Sequence, residues 1–169
     1  MNKSYSTSSK VGFIHITKTG GTHVKHENKN NKLYVKGHKI DALYYYTKKK
    51  IPCFAIIRNP IERYKSMFYY YGYGSNIYVR DRDNMNDINL FAEKHYNDPK
   101  FIEKKYAAGG RLFNKQIEWL NNNNCFIVLY DKENLIKNIK TFLLDEFSIH
   151  FDDDCKGKKK INVSNVKYK

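Results

Sequence analysis

The chain has 169 residues, of which 41% are hydrophobic and 15% aromatic, with only three prolines. This apolar content excludes a disordered chain, and the length excludes two large domains, so we expect one folded domain over residues 1–169. Residues 1–10 would form a polar leader and residues 152–169 a C-terminal loop or tail.

Thirty-one Lys and Arg against 17 Asp and Glu give a net charge of +14, which favours phosphate, sulfate, nucleic acid or acidic membranes as partners. Runs of Lys and Asn are also typical of an AT-rich genome, so the charge alone selects no partner.

The sequence predicts a soluble chain that is not exported. No stretch approaches the roughly 18 consecutive apolar residues of a membrane-spanning helix, and the first ten residues are polar rather than signal-like. The three cysteines contain no Cys-x-x-Cys pair, which disfavours a zinc ribbon. We therefore expect no membrane span, reduced thiols and, by default, a cytoplasmic location.

Apolar runs in the first third of the chain predict two buried strands. Residues 11–16 form the first run, and the glycine-containing turn 17–22 follows it with hydroxyl side chains that could cap a helix. Residues 33–35 suggest a short strand and 40–46 a short helix. Residues 53–57 form the second buried run.

The remainder continues the alternation of strands and helices. Asn59 and Pro60 predict an N-cap and a first helical residue, and the apolar spacing that follows predicts a helix to Gly72 or Gly74. The polar stretch 73–87 predicts a loop. Residues 88–96 and 113–120 suggest helices, 125–130 a third buried strand, and Asp131 a cap for a helix over 133–144. This alternation predicts an α/β fold with a mainly parallel central sheet flanked by helices.

The turn after the first strand is the first candidate anion site. A strand, a turn with Lys18, Gly20 and Gly21, and a helix together bring backbone amides and a helix dipole toward a ligand. Lys18 precedes the glycines, so the turn is not a Walker A loop. A plain connecting turn is the alternative interpretation.

Arg58 is the second candidate, since it ends a strand beside a helix start. Ligands of open α/β sheets collect at the carboxyl ends of strands, so both candidates could line one crevice. Ser66 lies two helical turns beyond Asn59, on the same face of the helix as that cap. A solvent-facing salt bridge is the alternative role for Arg58.

Two segments resemble the cofactor motifs of sulfotransferases that use 3′-phosphoadenosine-5′-phosphosulfate (PAPS). Residues 13–22, FIHITKTGGT, are similar to the 5′-phosphosulfate loop, and residues 58–66, RNPIERYKS, to the 3′-phosphate motif. Weaker similarity continues through residues 116–120, the strand ending at Tyr130 with residues 133–135 after it, and residues 162–164. The resemblance is closest to the Golgi-type glycan sulfotransferases.

The resemblance implies a P-loop-like three-layer fold and transfer of a sulfuryl group from PAPS to a hydroxyl acceptor, with a glycan favoured over a small molecule. It needs no metal. Five residues of the first motif would bind the 5′-phosphosulfate, with the lysine also stabilising charge on the leaving oxygen: Lys18, Thr19, Gly20, Gly21 and Thr22. Arg58 and Ser66 would bind the 3′-phosphate.

His38 is the candidate catalytic base, because similar glycan sulfotransferases carry a Gly-His pair at a comparable place and histidine titrates near neutrality. Glu62 and Glu118 are the alternatives. His15, within the first strand, fits a buried histidine better than a ligand.

The sequence departs from the family pattern in several places. Thr17 stands where a proline is usual, and His23 where a small residue is usual. The chain is also short beside the Golgi enzymes, so it fits a minimal microbial or viral enzyme, or a degenerate copy with weak affinity for PAPS.

Two other functions stay open. A nucleotide-binding phosphotransferase would use Asp131 as its acidic residue after a strand. A basic nucleic-acid-binding module without enzymatic activity is the other, and both are less favoured than a sulfotransferase.

Overall fold

The computed structural model describes residues 10–28, 32–37, 41–73, 87–98, 100–101, 113–120 and 125–151. The chain divides into two compact units. The first contains residues 1–58 and 116–161, and the second contains residues 59–115 and 162–169. The expectation of a single sulfotransferase-like domain stays a prediction.

The first unit contains a four-stranded sheet in which every pair of neighbouring strands is parallel. Its strands are β1 (Val11–Ile14), β2 (Leu33–Val35), β3 (Cys53–Ile57) and β4 (Cys125–Leu129), in the spatial order β2-β1-β3-β4. Its helices are α1 (Gly21–Glu27), α2 (Ala42–Lys48), a 3₁₀ helix (Gln116–Leu120) and α5 (Leu135–Phe147). The predicted α/β class with a parallel central sheet is confirmed.

Helices cover both faces of the sheet because its buried strands are apolar on both sides. Val11 and Phe13 of β1 pack in one core cluster with residues of α1 and α5. Ile14 packs in the opposite cluster with α2 and the 3₁₀ helix. Phe54 and Ala55 of β3 divide between the two clusters in the same way. The first unit therefore has three layers.

Several predicted boundaries change, and two of them change because local hydrogen bonds compete with regular structure. β1 ends at Ile14, since the Ile16 amide turns back to donate to the Ile14 carbonyl at 3.0 Å. The last helix starts at Leu135 rather than at Glu133. One Asp131 carboxylate oxygen accepts from the amides of Glu133 and Asn134, at 2.9 and 3.2 Å, and forms a turn ahead of the helix.

The second unit contains α3 (Pro60–Tyr73) and α4 (Ile88–Asn97). As predicted, Asn59 caps α3: its Oδ1 accepts from the amides of Ile61 and Glu62 at 3.0 and 3.2 Å. Asp87 caps α4 in the same way. Met67, Phe68 and Phe91 form the core of this unit.

None of the helices found in the described parts of the chain is both long enough and apolar enough to cross a bilayer.

Candidate functional site

The sheet order creates a topological switch point at the carboxyl end of β1. The chain leaves β1 toward β2 on one side of the sheet, whereas β3 pairs with β1 on the other side. In open parallel sheets this divergence leaves a crevice in which ligands bind. Lys18 follows β1 and Arg58 follows β3, so the fold brings these two residues to the same edge of the sheet.

The turn after β1 has an unusual backbone. Lys18 adopts a left-handed conformation with φ of 61°, and Gly20 does so with φ of 88°. Such a conformation is rare for a residue with a side chain, and it is found where surrounding contacts enforce it. Thr19 provides one such contact, because its buried Oγ1 donates to the Ile16 carbonyl at 2.9 Å. The Thr19 side chain is thus part of the turn, and its hydroxyl hydrogen is already donated within it.

Both glycines of the turn are required by close packing. A Cβ on Gly21 would lie 1.9 Å from Cδ2 of His15. A Cβ on Gly20 would lie 2.5 Å from Cδ2 of Leu135 and 3.0 Å from Cε2 of Tyr130. His15 is 2% exposed, as expected for a buried histidine, and its ring stacks on Phe13 with 5.7 Å between centroids. The turn therefore packs against His15, just after β1, and against Tyr130 and Leu135, which follow β4.

Arg58 reaches this turn from β3. Its Nη1 donates to the Lys18 carbonyl at 3.4 Å, although 40 residues separate the two in the chain. Its guanidinium carbon lies 4.7 Å from the centre of the Tyr130 ring, a cation–π contact. The Gln116 side chain holds its backbone: Oε1 accepts from the Arg58 amide at 2.8 Å, and Nε2 donates to the Arg58 carbonyl at 2.6 Å.

Burial and a neighbouring cation change the ionisation of Lys18. Burial, and next the positive charge of Arg58, lower the pKa of Lys18 to about 8. Both effects disfavour the charged ammonium. A bound anion would offset the repulsion between Lys18 and Arg58, so this edge of the sheet is electrostatically suited to a phosphate or sulfate group.

The other predicted site residues lie on helices or outside the described part of the chain. Thr22 is exposed in the first turn of α1. Ser66 is half-buried in the second turn of α3, which belongs to the second unit, whereas Arg58 belongs to the first. His38, the candidate base, lies outside the described residues. The roles of Thr22, Ser66 and His38 in cofactor binding or catalysis stay predictions.

The alternative bases are exposed. Glu62 lies on the surface of α3, where its Oε1 is 3.4 Å from Nζ of Lys65. Glu118 is exposed on the 3₁₀ helix. Within the described ranges, no three or more His, Cys, Asp or Glu side chains gather where a metal ion could bind.

Two residues at the site received no role from the sequence. Gln116 and Tyr130 stood only within stretches of weak similarity, and no rule of local spacing connects either of them to Arg58. The available signal was that Tyr130 follows a buried strand, as Arg58 does, so parallel pairing would bring both to one edge of the sheet.

The comparisons with known proteins add no assignment. No protein-family model, no curated protein and no solved structure matches the chain.

Proposed function

We propose that the protein is a sulfotransferase that transfers the sulfuryl group of PAPS to a hydroxyl group, with a glycan as the acceptor. One observation carries the proposal: Lys18 and Arg58, from the two cofactor-like motifs, lie together at the switch point between β1 and β3. The sequence motifs suggested the cofactor independently of that geometry.

A nucleotide with two anionic ends would take Lys18 at one end and Arg58 at the other. PAPS, when bound, would supply an activated sulfuryl group whose leaving group is a phosphate oxygen. Lys18 and the backbone of residues 19–22 would hold the phosphosulfate, and the ammonium would neutralise charge as it develops on that oxygen. Arg58 and Ser66 would hold the 3′-phosphate. His38 would accept the proton of the acceptor hydroxyl.

The phosphotransferase alternative has less support. β3, one of the two strands beside β1, is followed by the basic residue Arg58 rather than by an acidic one. Asp131 follows β4, one strand further from β1, and its carboxylate accepts hydrogen bonds from two backbone amides and from Nδ2 of Asn134. Those bonds hold the pKa of Asp131 below its usual value and bind its oxygens within a turn.

Calorimetric titration with adenosine 3′,5′-bisphosphate, the product of PAPS, tests the proposal, with ATP and magnesium as the comparison. We expect the bisphosphate to bind more tightly than ATP, and transfer of labelled sulfate from PAPS to a panel of glycans. Lys18→Ala should weaken binding of the bisphosphate about 10- to 100-fold, because it removes a charge-assisted contact.

Lys25→Ala is the matched control, since it removes the same charge from an exposed position on α1. Equal losses in Lys18→Ala and Lys25→Ala would show that net charge alone drives binding and would overturn the proposed site. Tight, strongly salt-dependent binding of an oligonucleotide without preference for the bisphosphate would favour the nucleic-acid-binding alternative.

A further inference from the structure

Side chains from distant parts of the chain hold Arg58 at two places, its backbone and its guanidinium. The pairing of β3 with β4 ends at Ile57 and Leu129, and the backbone of Arg58 lies just beyond that last pair. The Gln116 amide then provides the donor and the acceptor that a neighbouring strand would otherwise provide. Its two hydrogen bonds, of 2.8 and 2.6 Å, fix the peptide groups on both sides of the Arg58 Cα.

A side-chain amide suits this position because it pairs with both backbone groups of Arg58 at once. Only Asn and Gln side chains carry one acceptor and an NH₂ donor on the same planar group, and Gln is the longer of the two. A carboxylate could accept from the Arg58 amide but could not donate to the Arg58 carbonyl. An apolar side chain of the same length would leave two part-buried backbone groups without these partners, which is costly.

The guanidinium is held separately from the backbone. The Tyr130 ring lies under it at 4.7 Å, and the Lys18 carbonyl accepts from its Nη1 at 3.4 Å. The Tyr130 amide donates to the Ile57 carbonyl at 2.8 Å, so the ring is attached to the same strand end as Arg58. The absence of a side chain on Gly20 gives the ring its space.

We propose that Gln116 and Tyr130 are positioning residues that hold Arg58 in the orientation in which it binds the 3′-phosphate of the nucleotide. They thereby determine the preference for adenosine 3′,5′-bisphosphate over adenosine 5′-monophosphate, which lacks that phosphate. This inference rests on the proposed function.

Binding of the two nucleotides to purified variants tests the inference. Gln116→Met keeps the length of the side chain and removes its polar atoms. We expect it to reduce the preference for the bisphosphate about ten-fold, which is the effect of losing one hydrogen bond between Arg58 and the 3′-phosphate. Affinity for the monophosphate should change little. Ile117→Ala, at a 69% exposed position of the same 3₁₀ helix, is the control and should keep the preference.

Two further measurements separate positioning from general destabilisation. If Gln116 acts through Arg58, Gln116→Met should have no additional effect on nucleotide preference in an Arg58→Ala background. Tyr130→Phe keeps the aromatic face and should keep the preference, whereas Tyr130→Leu should reduce it. Thermal unfolding identifies any variant that fails to fold. If Gln116→Met does not fold, the comparison of Tyr130→Phe with Tyr130→Leu decides the outcome.

The possible failures are distinguishable. A wild-type protein with no preference for the bisphosphate overturns the proposed function and this inference with it. A wild-type preference that Arg58→Ala abolishes but that Gln116→Met and Tyr130→Leu retain overturns the positioning roles alone.

Discussion

Lys18 combines a rare backbone conformation with a perturbed ionisation. Its φ of 61° is maintained within a turn whose two glycines pack against neighbouring side chains. Its ammonium lies close to Arg58 and is partly removed from water, so its pKa falls to about 8. Backbone strain and charge repulsion at one residue both lower the free energy of unfolding, and such costs are typical of binding sites.

The lowered pKa of Lys18 predicts how anion binding depends on pH. A phosphate monoester is doubly charged above about pH 7, because its second pKa is about 6. Above that point the affinity for adenosine 3′,5′-bisphosphate should fall as the pH rises through about 8, where the ammonium of the ligand-free protein loses its proton. Calorimetric titrations across this range measure the fall.

Lys18→Arg is the control for the pH dependence, since arginine stays charged throughout the range. Its affinity should be nearly constant with pH, and parallel profiles for the two proteins would contradict the assignment to Lys18. The effect on folding has the opposite sign. Between pH 8 and 10.5 the unfolded chain binds more protons at this residue than the folded one, so this group makes the free energy of unfolding rise with pH.

The helices show where local sequence determines an element and where competing bonds change it. α3 begins at the residue predicted, because the Asn59 side chain and the Pro60 ring both favour a helix start there. The last helix begins later than predicted, because Asp131 bonds to two amides and makes a separate turn. An Asp before an apolar helix is compatible with both arrangements, and its sequence position alone does not distinguish them.

The cap of α3 predicts a loss of stability on substitution. Asn59→Ala removes the acceptor for the amides of Ile61 and Glu62 and should lower the free energy of unfolding by about 1 kcal/mol. Asn59→Asp keeps an acceptor oxygen and should change it by only a few tenths of that amount. Chemical denaturation measures both, and equal losses in the two variants would show that the cap bonds contribute nothing net.

The whole molecule carries a net charge of +14, which destabilises the compact state through self-repulsion. Raising the ionic strength past about 0.15 M, where the Debye length is about 8 Å, should therefore raise the melting temperature. Sulfate should raise it further than chloride at equal ionic strength, because an anion that binds the folded site stabilises it by mass action.

Lys18→Ala separates site binding from the general salting effect of sulfate, which acts on any protein surface. The additional stabilisation by sulfate should shrink in Lys18→Ala and persist in the charge-matched Lys25→Ala. Calorimetric melting curves of the three proteins provide the comparison. The same sulfate increment in all three would contradict an anion site at Lys18.

Local sequence was sufficient to predict the α/β class, the bounds of β3 and the start of α3. Short apolar runs, a glycine turn and an Asn-Pro pair act over a few residues, and their physical effect does not depend on the rest of the chain. Lys18 and Arg58 also came from local patterns, as residues that follow buried strands. The sequence suggested one crevice for both but did not specify the order of the strands.

Only the tertiary structure determined which residues surround Arg58. The order β2-β1-β3-β4 places β3 beside β1, and that pairing brings Arg58 to Lys18 across 40 residues. Gln116 contacts Arg58 across 58 residues, and Tyr130 contacts it from the end of β4. Such contacts depend on long-range strand pairing and packing, which leave no periodic signal in the sequence. The chain's local chemistry thus supplied the charges of the candidate site, and the packing of the sheet supplied their arrangement.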